Sequence, residues 1–447
     1  MRVAIVGSGP AGFYTASALQ AGDVPVEIDM VERLPTPWGL VRLGVAPDHP
    51  NIKAVSRAFE KIARKEGFRF FGNVEVGKDV SHDDLRRLYD AVVYTVGAQT
   101  DRRLDIPGED LPGSWAATEF VAWYNGHPDF QDRTFDLSGE RAVVVGNGNV
   151  AVDVARMLAL TAEELAPTDT TDDAIAAITG SGLREIVVLG RRGPAQAAFT
   201  PPELQELGEL AGADVFVDPA DLELDPVSAA SLEEGRETAR RNVEILREFA
   251  ARERSDKPKS VRLRFLVSPV QILGEGRVEA VEVVRNRLVE RDGALVAKST
   301  GEIEVIPASV VFRSVGYRGV PLPGLPFDER RGTIANDGGR VDGLPGVYVA
   351  GWIKRGPSGV IGTNKKDAAD TVERVLEDAH AGLLSRESDE PLEELLRARG
   401  VDFVEYAGWE AIDGHERARG EEQGRPRVKL ATWRALLERA RQLQPRG

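Results

Sequence analysis

The chain contains no cysteine. That excludes disulfides, thiolate-ligated iron–sulfur clusters and CxxC redox pairs within it. Histidine is scarce. His49, His82, His127, His380 and His415 are scattered, with no His-x-x-x-His spacing, so no metal site is expected. No apolar run approaches the roughly 18 residues of a spanning helix, so no membrane insertion is expected. Positive charge is in deficit. Lys and Arg number 57 against 72 Asp and Glu, a net charge of −15 that argues against nucleic acid or an anionic membrane as a general partner. A local basic face is still compatible with that total. Met1-Arg2 leads straight into an apolar strand, without the layout of a cleavable signal, so a cytoplasmic protein is expected.

What is present suggests two or three folded domains. The length is 447 residues, with 42% hydrophobic and 29% charged residues, ordinary for a globular protein with more than one core. The 46 glycines cluster beside apolar runs, as in tight turns at strand ends. Residues 2–6 read as a buried strand, 10–21 as a helix and 26–31 as a second strand, a βαβ opening. Helices are expected at 52–65 and 81–89, and strands at 68–76 and 91–96. A turn-rich crossing at 101–113 leads to a second βαβ opening: a strand at 141–145, a helix at 149–160 and a late strand at 186–189. The acidic stretch 161–184 reads as an insertion. Alternating strands fill 261–313, and residues 310–316 echo residues 91–97. A strand at 346–350, a helix at 363–380 and a charged, mostly helical tail follow. The fold class is α/β. It has two doubly wound nucleotide-binding domains, the second (about 104–319) inserted into the first (1–103 and 320–447).

The first glycine loop, Gly7-Ser8-Gly9-Pro10-Ala11-Gly12, is a GxGxxG. Alone the motif is weak, but here it follows a strand, opens a helix, and precedes Glu32 by 20 residues. Glycines let the backbone approach a pyrophosphate at the helix N-terminus, and the acid can bind ribose hydroxyls. The second loop, Gly146-Asn147-Gly148-Asn149-Val150-Ala151, has no acid at the end of its second strand. Gly190-Arg191-Arg192-Gly193 stands there instead. An acid would repel a 2′-phosphate, whereas two guanidiniums can clamp it, so this site reads as NADP rather than NAD. The alternative is a pair of solvated surface arginines.

Two further loops suit a flavin ring: Pro35 to Pro50, rigid and apolar around Trp38, and Gly351 to Gly362, which runs into a helix beginning Thr363-Asn364-Lys365-Lys366. Lysines there oppose the macrodipole, and a nearby anion would offset the cost; solvated lysines are the plainer reading. His49 and Asp153 are candidate proton handlers, against a structural role for each.

Several of these stretches resemble adrenodoxin reductase and its bacterial, actinobacterial-type relatives, the NADPH–ferredoxin reductases. They are Gly7 to Gly12, Leu34 to Arg42, Gly44 to Pro50, Gly146 to Ala151, Gly190 to Pro194 and Gly351 to Pro357. The resemblance covers residue 2 to about 380 and resumes at 424–429. It implies FAD contacts from Ala11, Glu32, Leu40, Val76, Trp352, Gly359, Val360 and Ile361, beside the Gly7, Gly9 and Gly12 that the motif itself assigns to the pyrophosphate. It implies NADP contacts from Asn147, Gly148, Asn149, Val150, Arg191, Arg192 and Glu203, with Gly359 near the nicotinamide, beside the Gly146 that the second loop itself supplies. The family's flavin-side His and Asp fall on His49 and Asp153. The acidic insertion and the charged tail are less familiar.

The resulting expectation is an FAD-dependent oxidoreductase moving electrons from NADPH to an acidic iron–sulfur protein, a ferredoxin. With no Cys and no haem ligation pattern, the electrons must leave through the flavin edge. A flavin monooxygenase would need a substrate cavity, and an NADP(H)-sensing module would reduce no acceptor; the loop match disfavours both. Arg240, Arg241 and Arg247, on a helical stretch at 233–252, are candidates for partner docking, with Lys354, Arg355, Lys365 and Lys366 as a second group; the alternative is a solvated charged helix, since Glu233, Glu234, Glu237, Glu244 and Glu248 interleave with the arginines.

Overall fold

The computed structural model describes residues 1–233, 237–291 and 293–442. The expected helix at 233–252 therefore lies partly outside the described residues, at 234–236, as does the end of the tail at 443–447. The chain divides into two compact units. One comprises Met1–Thr100, Asn125–Asp129 and Gly316–Gly447, the other Asp101–Tyr124 and Phe130–Val315.

The first unit begins with β1 (Arg2–Val6), α1 (Pro10–Ala21), β2 (Glu27–Val31), a short α2 (Leu40–Leu43), β3 (Phe68–Phe71), α3 (His82–Leu88) and β4 (Ala91–Tyr94). In the second unit come β5 (Ser114–Ala116), β6 (Arg141–Val145), α4 (Asn149–Ala159), β7 (Glu185–Leu189), α5 (Pro201–Leu207) and β8 (Ala213–Val217). Next are α6 (Glu237–Ala250), β9 (Lys259–Arg264), β10 (Val267–Leu273), β11 (Ala280–Arg291), β12 (Ala294–Pro307) and β13 (Val310–Arg313). The chain then returns to the first unit through β14 (Asn336–Asp337), β15 (Arg340–Val341), β16 (Val347–Val349), α7 (Trp352–Arg355), α8 (Thr363–His380) and α9 (Tyr406–Glu422).

The first unit's sheet has the order β14-β15-β16-β4-β1-β2-β3, parallel from β16 to β3. The second unit's main sheet, β5-β13-β6-β7-β9-β8, is parallel throughout. A three-stranded antiparallel sheet, β10-β11-β12, accompanies it. Parallel strands are covered on both faces, which is why Val3, Ala4, Ile5 and Val6, and likewise Ala142 to Val145, are all buried and read as continuous apolar runs.

The echo between 91–97 and 310–316 has a structural basis. β4 lies beside β1 as β13 lies beside β6, and each ends level with its neighbour: Tyr94 opposite Val6, Arg313 opposite Val145. In both sheets the strand before the glycine loop has its α-linked partner on one side and the late strand on the other. That is the switch point where a crevice opens at the carboxyl ends of the strands.

Two expectations change in detail. The helix expected at 52–65 is two pieces, Pro50–Lys53 and Ser56–Ala63. Across the break the amides of Val55, Arg57 and Ala58 each bond three residues back, to Ile52, Ala54 and Val55, a tighter turn than the α-helix. The acidic stretch 161–184, expected as an insertion, carries two short helices. Thr161 and Glu164 form a capping box for the helix Ala162–Leu165, and Asp172 and Asp173 open the helix Asp172–Thr179. Those acids sit where a helix N-terminus favours negative charge.

Candidate active site

In the first unit the glycine loop is drawn tight by its neighbours. Gly7 has φ of 102°, and its amide donates to Val31 O at 2.8 Å. Thr95 Oγ1, just past β4, donates to Gly7 O at 2.8 Å. A Cβ on Gly7 would lie 2.8 Å from Thr95 O, so the first position has no room for a side chain. Gly9 differs: its backbone is extended and a Cβ there would meet nothing within 4 Å. α1 then starts at Pro10, with no side-chain cap and no acid in its first turn. Proline at the first position has no N–H to satisfy, and the amides of Ala11 and Gly12, in the first turn, have no intrahelical acceptor. An open cradle, two first-turn amides and a positive dipole end suit a pyrophosphate.

Glu32 stands at the end of β2, beside this loop. Its Oε2 accepts from Ser8 N at 3.0 Å and Ser8 Oγ at 2.6 Å, and its Oε1 accepts from Leu34 N at 3.0 Å. The carboxylate is thus partly committed to shaping the loop, with acceptor capacity left on Oε1. Ser8 was hidden in the variable position of the motif; only its neighbourhood to Glu32 gives it a role.

Other predicted residues lie on neighbouring segments. Trp38 N donates to Ser8 O at 2.9 Å, and a Cβ on Gly39 would lie 3.0 Å from Gly9 Cα, which places α2 and Leu40 against the loop. Trp38 has φ of 85°, unusual for a bulky side chain and a strain of about 1–3 kcal/mol. A Cβ on Gly351 would lie 2.6 Å from Ala11 Cβ, so the 351–362 loop abuts the first turn of α1 and sets Trp352 beside it. The Trp352 ring packs on Tyr317 at 5.3 Å, and its buried indole N–H has no partner among the described residues. Val76 follows Val74, whose amide donates to Glu32 O at 2.9 Å. Gly359 has φ of 81°, and Val360 is 61% exposed. Ile361 packs on the apolar core. His49 is buried ahead of the Pro50–Lys53 turn.

The lysines at the start of α8 behave as solvated groups. Lys365 is exposed, and Lys366 pairs with Asp370 at 2.7 Å. Lys354, a docking candidate by sequence, turns inward to Asp367 at 3.2 Å and Thr371 Oγ1 at 2.9 Å, which withdraws it from the surface. Arg355 likewise reaches Asn364 Oδ1 at 2.8 Å.

The second unit repeats the device. Gly146 has φ of 139°, and a Cβ on it would lie 2.1 Å from Ser314 O. Gly148 has open space where its Cβ would be, and α4 starts without a side-chain cap or an acid in its first turn. Asn147 O accepts from Ala198 N at 2.9 Å and Phe199 N at 3.1 Å, and Asn149 Oδ1 accepts from Thr200 N at 2.8 Å. These bonds tie the loop to the start of α5, the helix that carries Glu203; Val150 packs on the core. A Cβ on Gly190 would lie 3.0 Å from Asn147 Nδ2, so the turn bearing Arg191 and Arg192 runs beside the loop. Asn286 Nδ2 donates to Arg191 O at 3.0 Å and Leu266 N to Arg192 O at 3.1 Å. The backbone is pinned while both guanidiniums are exposed. Among the described residues neither has an ion-pair partner.

Asp153, on α4, pairs with Arg156 at 2.6 Å, one turn along the same helix. Arg156 is itself buried and also reaches Glu206 of α5 at 3.3 Å. Sequence reasoning passed over this arginine; its three-residue spacing from Asp153 was the available signal.

Two glycine-loop crevices at parallel-sheet switch points, one with an acid and one with paired arginines, define the oxidoreductases built on two dinucleotide-binding folds. Residues 1–187 match the pyridine nucleotide-disulphide oxidoreductase family. With no cysteine, this chain cannot share the disulphide part of that chemistry. The chain is 52% identical to the NADPH-ferredoxin reductase FprA of Mycobacterium tuberculosis, over 97% of this chain and 98% of that protein. It is 41% identical to the mitochondrial NADPH:adrenodoxin oxidoreductase of Arabidopsis thaliana, over 98% and 95%. The solved structure of Mycobacterium tuberculosis FprA in complex with NADPH superposes with a TM-score of 0.94 at 51% identity, covering 98% of this chain and 99% of that one. The chain belongs to the adrenodoxin reductase-like family of NADPH–ferredoxin reductases. No helix among the described residues is long and apolar enough to cross a membrane.

Proposed function

We infer that the protein is an FAD-dependent reductase that draws electrons from NADPH and delivers them to a ferredoxin. The observation that carries this reading is the pairing of two glycine-loop crevices with opposite chemistry at the next strand end: Glu32 in one, Arg191 and Arg192 in the other. Bound FAD supplies the exchange between a two-electron donor and a one-electron acceptor.

The chain's own residues bind and orient. The amides of Ala11 and Gly12 take the FAD pyrophosphate, with Gly7 and Gly9 giving the backbone its close approach. Glu32 takes ribose hydroxyls through its remaining acceptor capacity. Leu40, Val76, Trp352 and the 359–361 backbone surround the flavin, and the unpartnered indole N–H of Trp352 is available to a polar edge of the ring. At the second loop, Gly146 to Val150 hold the NADP pyrophosphate. Arg191 and Arg192 hold the 2′-phosphate, and Glu203 contacts the nucleotide from α5. His49, in the first unit, and Asp153, in the second, are the proposed proton handlers.

The physiological partner is an acidic iron–sulfur protein, met by a local basic face, and the location is the cytoplasm. Rapid-mixing spectroscopy tests the reading. NADPH should bleach the flavin band, and the reduced protein should then pass electrons to a ferredoxin. Bleaching without transfer to any ferredoxin would reject the partner, and absence of bleaching would reject the reading as a whole.

A further inference from the structure

The charged tail has no role in the reading so far, yet it reaches the loop beside the first crevice. Trp409 and Glu416 are seven residues apart on α9, which places them on one face two turns apart. Both are completely buried. Trp409 meets the edge of Trp38 at 4.8 Å between ring centroids. Glu416 takes Arg42 in a bidentate pair, Nη1 to Oε2 at 2.8 Å and Nη2 to Oε1 at 2.6 Å. The Arg42 guanidinium also lies over the Trp409 ring, 5.3 Å from its centroid.

The segment after α9 closes the arrangement. Arg427 Nη1 donates to Glu416 Oε2 at 3.0 Å and Leu430 N donates to Oε1 at 2.8 Å, so each carboxylate oxygen accepts two bonds. Lys429 Nζ donates to Arg42 O at 3.3 Å. Burial by itself pushes a carboxyl upward, yet Arg42 first and Arg427 second hold Glu416 below its ordinary range. The charge therefore stays on the carboxylate inside the protein, and the pair with Arg42 persists.

These contacts grip the loop at its two ends, Trp38 and Arg42. Between them lies Gly39, packed on Gly9 of the glycine loop. Trp38 holds a backbone angle that a free loop would abandon, so something must impose it. We propose that α9 and the 427–430 segment form a strap that fixes the 38–42 turn for the flavin, with Glu416 as its positioning residue. Glu416 touches no reacting atom; it acts through Arg42. The proposal rests on the FAD reading of the first crevice.

The test uses the FAD-loaded, full-length protein. Glu416→Gln removes the charge, and Arg42→Lys keeps the charge but loses the bidentate fork. The readouts are the rate at which FAD escapes on dilution, followed by flavin fluorescence, and the affinity for NADP⁺ at the other glycine loop. Glu416→Gln should release FAD at least tenfold faster and Arg42→Lys by a smaller factor, with NADP⁺ affinity unchanged within twofold. If Glu416→Gln fails to fold, Arg42→Lys decides. FAD escape at the parent rate from folded variants would overturn the strap. Equal loss of FAD and NADP⁺ binding would also overturn it, since that marks general destabilisation. A parent protein that holds no FAD would overturn the functional reading itself, a result recognisable before any variant is made.

Discussion

The carbonyl oxygen of Gly7 stands 2.2 Å from where a Cβ on Gly12 would lie. The last glycine of the motif is therefore required by the protein's own backbone, whereas Gly9 is free of such pressure. Gly12→Ala should destabilise the first unit by about 1–3 kcal/mol through overpacking. Gly9→Ala should melt like the parent protein without cofactor but carry little FAD. Thermal melts and the flavin-to-protein absorbance ratio separate the two effects. A full flavin content in Gly9→Ala would show that no pyrophosphate passes there.

Arg191 and Arg192 should carry the choice of NADPH over NADH. Each charge-assisted contact to a phosphate is worth roughly 1.5–3 kcal/mol, so the pair supports a preference of about 10²-fold or more. Replacing both with Ala should lower kcat/KM for NADPH by at least that factor and leave NADH nearly untouched. Equal losses with both nucleotides would assign the arginines a structural role.

The exposed arginines of α6, interleaved with Glu237, Glu244 and Glu248, give a third expectation. Val243, Ile245, Leu246 and Phe249 bury one side of the helix, leaving Arg240, Arg241 and Arg247 exposed on the other. Arg241 is engaged by Glu244 at 3.1 Å and Glu248 at 3.7 Å, whereas Arg240 and Arg247 have no ion pair among the described residues. Reversing Arg240 and Arg247 to Glu should raise the ferredoxin KM more than reversing Arg241 alone, with the NADPH KM constant. Ferredoxin reduction should also slow with rising salt, since surface attraction is screened within about 10 Å at 0.1 M. Steady-state assays at several ionic strengths decide it, and an unchanged ferredoxin KM would place docking elsewhere.

Acid stability gives a fourth. Asp84 caps α3 by accepting from Ser81 and pairs with Arg399. The Arg399 hydrogen bonds, then Ser81, hold its carboxyl down to about 2, against 3.8 ordinarily. A depressed carboxyl contributes stability above the unfolded value and loses it as pH falls through the folded one, here between 3.8 and about 2. Asp84→Asn should lower the melting temperature at neutral pH and flatten its fall across that window. A parallel fall in both proteins would contradict the assignment.

The fold was largely legible because buried parallel strands announce themselves. Residues 2–6, 141–145 and 363–380 read from sequence as elements and occur as Arg2–Val6, Arg141–Val145 and Thr363–His380. Each glycine loop was visible for the same reason, since it interrupts an apolar run at a strand end. What escaped was long-range. Nothing near Glu416 in sequence announces Arg42, 374 positions away. Lys354 could not be told from a surface lysine without Asp367 in view. Trp38 gave no warning of its positive φ, because strain of that kind is imposed by packing.

The interleaving of the two units has a consequence for synthesis. β4 needs β16 on its open side, and Val347 emerges from the ribosome some 250 residues after Tyr94. At about 5–20 residues per second that is a delay of roughly 13–50 s. Throughout it, the nascent first unit presents an unpaired apolar edge of Val92, Val93 and Tyr94, the kind of edge that recruits other strands. The second unit's segments end at Val315 and wait for nothing further. A nascent chain stalled between those points holds one finished unit and one sticky half-sheet, the state in which a chaperone or a neighbouring chain finds it.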